Sequence, residues 1–69
     1  MCTAEEQIES LKYQYMSHSN RDSRVKIIDT LITFGDKGVD AIRELIRVTD
    51  NDELMLYGLE QIRRSRENP

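Results

Sequence analysis

The chain has 69 residues and a formal net charge of -3, so its average field repels nucleic acid and anionic membrane surfaces. Apolar residues make up 38% and charged residues 33%, which is typical of a small soluble helical domain, and no apolar run is long enough for a signal sequence or a membrane span. Cys2 is the only cysteine, which excludes an internal disulfide and favours a cytoplasmic location.

The first predicted helix covers residues 4–16. Thr3 and Glu6 have the spacing of a capping box, in which each side chain bonds a free backbone N–H group. The apolar stripe of this helix consists of Ile8, Leu11 and Tyr15. A polar stretch over residues 17–20 then ends the helix.

The second predicted helix begins at another capping box, formed by Ser19 and Asp22. Its apolar positions cover about half of the helical wheel, so we expect it to be the central helix. These positions are Val25, Ile27, Ile28, Leu31, Ile32 and Phe34. Gly35 follows at the C-terminal position where helices commonly end in a residue with positive φ, and Asp36 is placed to cap the third helix.

The third and fourth helices are predicted from the same kind of pattern. Gly38 lies in the tolerant first turn of the third helix, whose apolar residues are Val39, Ala41, Ile42, Leu45, Ile46 and Val48. Asp50 and Glu53 form a third predicted capping box before a helix over residues 52–65. The inner stripe of this last helix is predicted to be Leu54, Met55, Gly58, Leu59 and Ile62.

The two halves of the chain resemble each other at an offset of 31 residues. Residue character agrees for the pairs Ile8 and Val39, Leu11 and Ile42, Tyr15 and Ile46, Asn20 and Asn51, Val25 and Leu56, Ile28 and Leu59, and Leu31 and Ile62. A period between 20 and 50 residues is the mark of helical solenoids, although any two amphipathic hairpins align at some offset. We therefore predict an all-α fold of four antiparallel helices in a single domain over residues 1–69, with repeat one at about 4–34 and repeat two at about 35–66.

The hinge between the repeats carries a family resemblance. The residues that follow its pattern are Arg24, Ile27, Leu31, Phe34, Gly35, Asp36, Ala41, Leu45 and Ile46. In this order they resemble the HEAT-like repeat family, in the short-repeat form of phycobilisome-lyase-type proteins. The chain departs from the pattern at Met55, where the family has Arg, and at Lys37, where it has Pro. The resemblance implies two HEAT-like hairpins and a protein-binding scaffold, and no residue here matches a bilin-handling role.

The candidate partner-binding residues lie on the fourth helix. Leu56 and Tyr57 fall off the predicted inner stripe and suggest an apolar surface for another protein or a second copy of the chain, with scattered surface residues as the open alternative. Arg63 and Arg64 form a basic cluster that could contact a partner, although cations near a helix C-terminus are expected from the helix dipole alone. We expect a non-catalytic interaction or assembly module.

No pattern in the chain predicts an enzyme. His18 lies in a polar turn, and Cys2 lacks a scaffold that would lower the pKa of its thiol. The acidic stretch over residues 49–54 lacks the ligand spacing of a calcium loop and is explained by helix capping. We therefore expect no cofactor, no metal and no small-molecule substrate.

A DNA-binding regulator is the alternative function. The stretch RVKIIDTLITFGDKGVDAIRELI resembles the first two helices of a winged-helix repressor, which would make the helix over residues 52–65 the recognition helix. That helix would begin with Asp50, Asp52 and Glu53 facing phosphates. Because phosphate contacts supply most non-specific affinity, nucleic acid is the disfavoured partner.

Overall fold

Four α-helices account for most of the chain in the computed structural model, which describes residues 3–18 and 20–67. The helices are α1 (Ala4–Ser17), α2 (Arg21–Ile32), α3 (Asp36–Arg47) and α4 (Asp52–Glu67). The described residues contain no β-strand. The predicted all-α fold of four helices is confirmed.

The first two helices begin at side chains that accept backbone hydrogen bonds. The Thr3 hydroxyl oxygen accepts from the Glu6 N–H at 3.1 Å, as the sequence predicts. At α2 the cap is Asn20, whose Oδ1 accepts from the N–H groups of Asp22 at 2.8 Å and Ser23 at 3.4 Å. Ser19, the predicted cap, lies outside the described residues.

The predicted caps of the last two helices are wrong by one residue. Gly35 occupies the cap position of α3 with φ 75° and no side-chain bond, so Asp36 is already the first helical residue and not the cap. At α4 the predicted Asp50–Glu53 box is replaced by Asn51, whose Oδ1 accepts from the N–H groups of Glu53 at 2.9 Å and Leu54 at 3.2 Å. The backbone turn before each helix therefore decides which residue takes the cap position.

Consecutive helices form two hairpins that pack side by side. Hairpin one is α1 with α2, and hairpin two is α3 with α4. α2 and α3 each contact all three other helices, whereas the Cα atoms of α1 and α4 come nowhere within 8 Å of each other. The result is two layers, with α1 beside α3 in one layer and α2 beside α4 in the other.

One apolar cluster lies between the two layers. Its buried residues are Ile8, Tyr15, Ile27, Ile28, Leu31, Val39, Ala41, Ile42, Leu45 and Ile62. Two residues that the sequence places on inner stripes lie at the surface instead. Val48 follows the last turn of α3 and is 56% exposed, and Leu59 on α4 is 48% exposed. The apolar face of α4 is thus wider than the surface that hairpin one can cover.

Candidate partner-binding surface

The outward face of α4 carries a stripe of four residues with two leucines at its centre. Leu56 is 63% exposed and Leu59 is 48% exposed. At about 100° per residue, Asp52, Leu56, Leu59 and Arg63 lie within about 60° of one another around the helix. All four are exposed, and we call them the outer stripe. Leu56 was predicted at this surface, while Leu59 was not.

The corresponding positions in hairpin one are covered by hairpin two. At the 31-residue offset, Leu59 corresponds to Ile28, which is 1% exposed, and Leu56 corresponds to Val25, which is half-buried. α2 packs on α4, which explains why these α2 positions are covered. Within the described chain nothing packs on α4 in the same way, so the equivalent leucines remain at the surface.

Ion pairs join the two hairpins at a constant separation in sequence. Lys12 Nζ lies 2.7 Å from Glu44 Oε2, Lys37 Nζ lies 3.0 Å from Glu5 Oε1, and Arg21 Nη2 lies 2.6 Å from Glu53 Oε1. Each pair spans 32 residues, and the two α1–α3 pairs ascend together along both helices. Equivalent helices of the two hairpins therefore run in the same direction. The hydrogen bond from Lys12 lowers the pKa of Glu44, and the bonds to Glu44 and Glu9 raise the pKa of Lys12.

Tyr57 is only partly exposed and lines, with Leu56, a surface groove between α2 and α4. It is half-buried against the core cluster, and its hydroxyl donates a hydrogen bond to Asp29 Oδ1 on α2. This bond raises the pKa of the Tyr57 hydroxyl, with burial acting in the same direction. Tyr57 therefore joins α4 to α2, and the sequence missed this role because the bond depends on tertiary packing.

Arg63 and Arg64 share one carboxylate on their own helix. Arg63 Nη2 lies 2.7 Å from Glu60 Oε1, and Arg64 Nε lies 3.3 Å from the same oxygen. These bonds, those from Arg63 above all, lower the pKa of Glu60. Their charge is partly neutralised within the helix, which weakens the case for phosphate contacts. The DNA-binding alternative remains an untested prediction.

A polar chain through Tyr15 ties hairpin one to the loop after α3. The Tyr15 ring is 2% exposed, and its hydroxyl lies 2.7 Å from Thr49 Oγ1, which donates to the Leu45 carbonyl at 2.7 Å. The Arg24 guanidinium lies over the ring, 4.7 Å from its centroid, and Arg24 Nε donates to the His18 carbonyl at 2.7 Å. This arrangement accounts for Arg24 structurally, and it leaves Tyr15 unavailable to a partner.

The opposite end of the stack exposes polar side chains beside the half-buried Leu11 and Phe34. A groove of about 350 Å³ lies between α1 and α2, lined by Glu6, Gln7, Ser10, Leu11, Gln14, Thr30 and Phe34. Gln7, Ser10 and Gln14 correspond at the 31-residue offset to Gly38, Ala41 and Leu45, which are buried in hairpin two. Hairpin one thus carries uncharged polar side chains where hairpin two carries buried small or apolar ones. The close apolar packing that joins the hairpins is therefore disfavoured at this end.

Residues with metal-binding or nucleophilic side chains do not converge in the described part of the chain. Residues 3–18 and 20–67 contain no group of three or more His, Cys, Asp or Glu side chains arranged to hold a metal ion. His18 is exposed at the end of α1, and Cys2 lies outside the described residues. Among the described helices, none has the length and apolar character needed to cross a membrane.

The described residues define a small all-α protein of two packed helical hairpins, with two exposed leucines between two charged residues on the outer stripe of α4. Comparison of the chain with models of protein families, with curated proteins and with solved structures found no match.

Proposed function

We propose that the chain is a non-catalytic protein–protein interaction module, built on a short HEAT-like helical-repeat scaffold, and that it binds its partner through the outer stripe of α4. In such scaffolds each hairpin buries an apolar face against its neighbour and the terminal hairpins carry a polar outer face, so exposed leucines on the outer face of the last hairpin point to a surface that another chain covers. The proposal includes a cytoplasmic location, for which the single cysteine is the support.

One observation carries the proposal. Apolar residues of hairpin one that are buried by hairpin two have counterparts on hairpin two that remain exposed. Ile28 is 1% exposed, whereas its counterpart Leu59 is 48% exposed. Complete burial of a leucine side chain is worth about 1.5–3 kcal/mol, so a partner that covers Leu56 and Leu59 would gain binding free energy. The charged residues at the two ends of the outer stripe, Asp52 and Arg63, give that surface a polar rim.

Site-specific photo-crosslinking in cells tests this surface. One variant carries p-benzoylphenylalanine in place of Leu59, and the matched control carries it in place of Tyr13, which is 74% exposed on α1. We expect covalent adducts of defined mass with the probe at Leu59 and far fewer with the probe at Tyr13. Mass spectrometry of the adducts then identifies the bound chain.

Equal adduct yields from the two positions would contradict the proposal, because an exposed aromatic probe on a surface without a partner reacts non-selectively. The double variant Leu56→Ser with Asp52→Ser, combined with the probe at Leu59, should reduce the specific adduct. Circular dichroism of each variant checks that the helices are retained.

A further inference from the structure

We propose that the partner of the outer stripe is the same stripe of a second copy, packed antiparallel across a two-fold axis that passes between Leu56 and Leu59. The inference deepens the proposed function and rests on it. Two-fold dimers are the commonest oligomers, and they require a surface that is complementary to itself. The order of charged and apolar residues along the outer stripe has this property.

The self-complementarity follows from the spacing of the four residues. They are separated by four, three and four positions, so the stripe is symmetric about the point midway between Leu56 and Leu59. An antiparallel copy centred there places Leu56 against Leu59 of the other chain twice. The same operation places Asp52 against Arg63 of the other chain twice. The apolar pairs lie at the centre and an acid faces a base at each end.

The existing contacts of α4 leave this face accessible. Gly58, on the opposite side of the helix, packs toward Ile42 and Ile46 of α3, and Tyr57 bonds to Asp29 of α2. The side chain of Arg63 already contacts Glu60, and in the dimer it would keep that contact while approaching Asp52 of the second copy. Dimerisation therefore needs no rearrangement of the hairpins.

Head-to-tail packing of successive copies is the less favourable arrangement. It would place the outer stripe of one chain on the α1–α2 groove of the next, where Gln7, Ser10, Gln14 and Thr30 are exposed. Burying these amides and hydroxyls without partners costs free energy. The two-fold arrangement buries leucine against leucine and leaves the polar side chains around the α1–α2 groove in water.

A single helix face covers less than the roughly 800 Å² per partner of a standard interface, so we expect a weak dimer, with a dissociation constant between about 10 µM and about 1 mM. Sedimentation equilibrium of the complete chain, from about 10 µM to about 1 mM, spans that range. The inference predicts a reversible monomer–dimer equilibrium. A wild-type chain that remains monomeric throughout the concentration range would overturn it.

Charge reversal tests the antiparallel register. Asp52→Lys places a lysine opposite Arg63 of the second copy, and Arg63→Glu places a glutamate opposite Asp52. Both end pairs of each variant dimer then repel, so each variant alone should dimerise roughly tenfold more weakly than wild type. In a 1:1 mixture of the two variants, both end pairs of the heterodimer are again opposite in sign. We expect the mixture to regain an affinity close to that of wild type.

The control variant is Asp22→Lys, because Asp22 is an exposed acid in the first turn of α2 as Asp52 is in the first turn of α4. It has the same helix-dipole cost without touching the stripe, and its dimerisation should match wild type. A mixture that fails to regain affinity, or equal weakening by Asp22→Lys, would overturn the register. If the wild type is monomeric but the Leu59 probe captures a different protein, the dimer is wrong and the proposed function stands. If the wild type is monomeric and the probe gives no selective adducts, both the dimer and the proposed function are wrong.

Discussion

At the scale of single residues, the closest backbone approach between α2 and α3 depends on Gly38. A Cβ atom at this position would lie 1.7 Å from the carbonyl oxygen of Leu31 and 2.7 Å from its carbonyl carbon. Both atoms belong to the backbone at the end of α2, so neither can move independently of the helix. The first turn of α3 can therefore cross the end of α2 at this distance only with glycine.

Gly38→Ala should destabilise the protein by at least about 2 kcal/mol, because the added methyl group forces the two helices apart. Gly58→Ala is the matched control. Its Cβ would meet the flexible end of Ile46, with Cδ1 at 2.9 Å, and alanine gains about 1 kcal/mol of helix propensity over glycine. We expect a change within about 0.5 kcal/mol for Gly58→Ala. Urea unfolding measures both, and equal effects would refute the assignment of Gly38 as the contact point.

At the scale of helices, three described N-termini depend on a side-chain cap. Thr3, Asn20 and Asn51 each accept backbone hydrogen bonds from the first turn that follows. Asn20 and Asn51 are 31 residues apart and cap the second helix of each hairpin in the same way. The 31-residue offset therefore relates the two caps as well as the apolar positions.

Asn20→Ala and Asn51→Ala should each destabilise the protein by about 1 kcal/mol, the usual cost of losing an N-cap. Asp50→Ala, one residue before the cap of α4, should change stability by less than about 0.5 kcal/mol. Chemical denaturation monitored by circular dichroism gives these differences. If Asp50→Ala proved as costly as Asn51→Ala, the capping role would have to be shared between the two residues.

The caps also show which structural features can be predicted from the sequence and which cannot. Apolar spacing located all four helices and the stripes that meet at Ile28, Leu31 and Ile42, because helical periodicity is a local property. Neighbouring Asp, Ser and Asn residues all have the chemistry of a cap, and only the backbone conformation chooses among them, so Asp50 was preferred wrongly over Asn51. The exposure of Leu59 could not be predicted either, because it depends on which helices pack on α4.

At the scale of the molecule, the two hairpins form a flat body of 32 × 29 × 18 Å, with exposed ion pairs between them. The pKa of Glu44 is lowered from 4.5 by its hydrogen bond with Lys12, and that of Glu60 is lowered by Arg63 and Arg64. A carboxyl group whose pKa is lower in the folded state binds protons more readily when unfolded. Its contribution to stability is present above pH 4.5 and is lost as pH falls through the folded-state pKa.

Glu44→Gln should therefore lower the melting temperature slightly at neutral pH and have a smaller effect as pH falls below the ordinary glutamate pKa. The pair is exposed, so the effect at neutral pH should also decrease with added salt. In a Lys12→Gln background, the pH dependence of the Glu44→Gln effect should largely disappear. A Glu44→Gln effect that stays constant from neutral to acid pH would contradict this role for the Lys12–Glu44 pair.

The stacking of hairpins predicts that the molecule can be extended. Residues 35–67 appended directly after Ser65 continue the 31-residue period, and the new hairpin should dock on Leu56 and Leu59 as hairpin two docks on Val25 and Ile28. Because the denaturant m-value scales with the surface exposed on unfolding, it should rise by roughly half in a single transition. Leu56→Asp with Leu59→Asp in the original copy should abolish the increase.

Extension should also move the self-association surface. The appended hairpin covers the first outer stripe and brings a second outer stripe to the new end of the stack. Asp52→Lys should therefore weaken dimerisation when it is placed in the appended copy. The same substitution in the original copy should have little effect. Sedimentation equilibrium of the two variants separates these cases. Equal weakening from both positions would mean that the first stripe remains accessible, and hence that the third hairpin does not pack by the geometry that joins the first two.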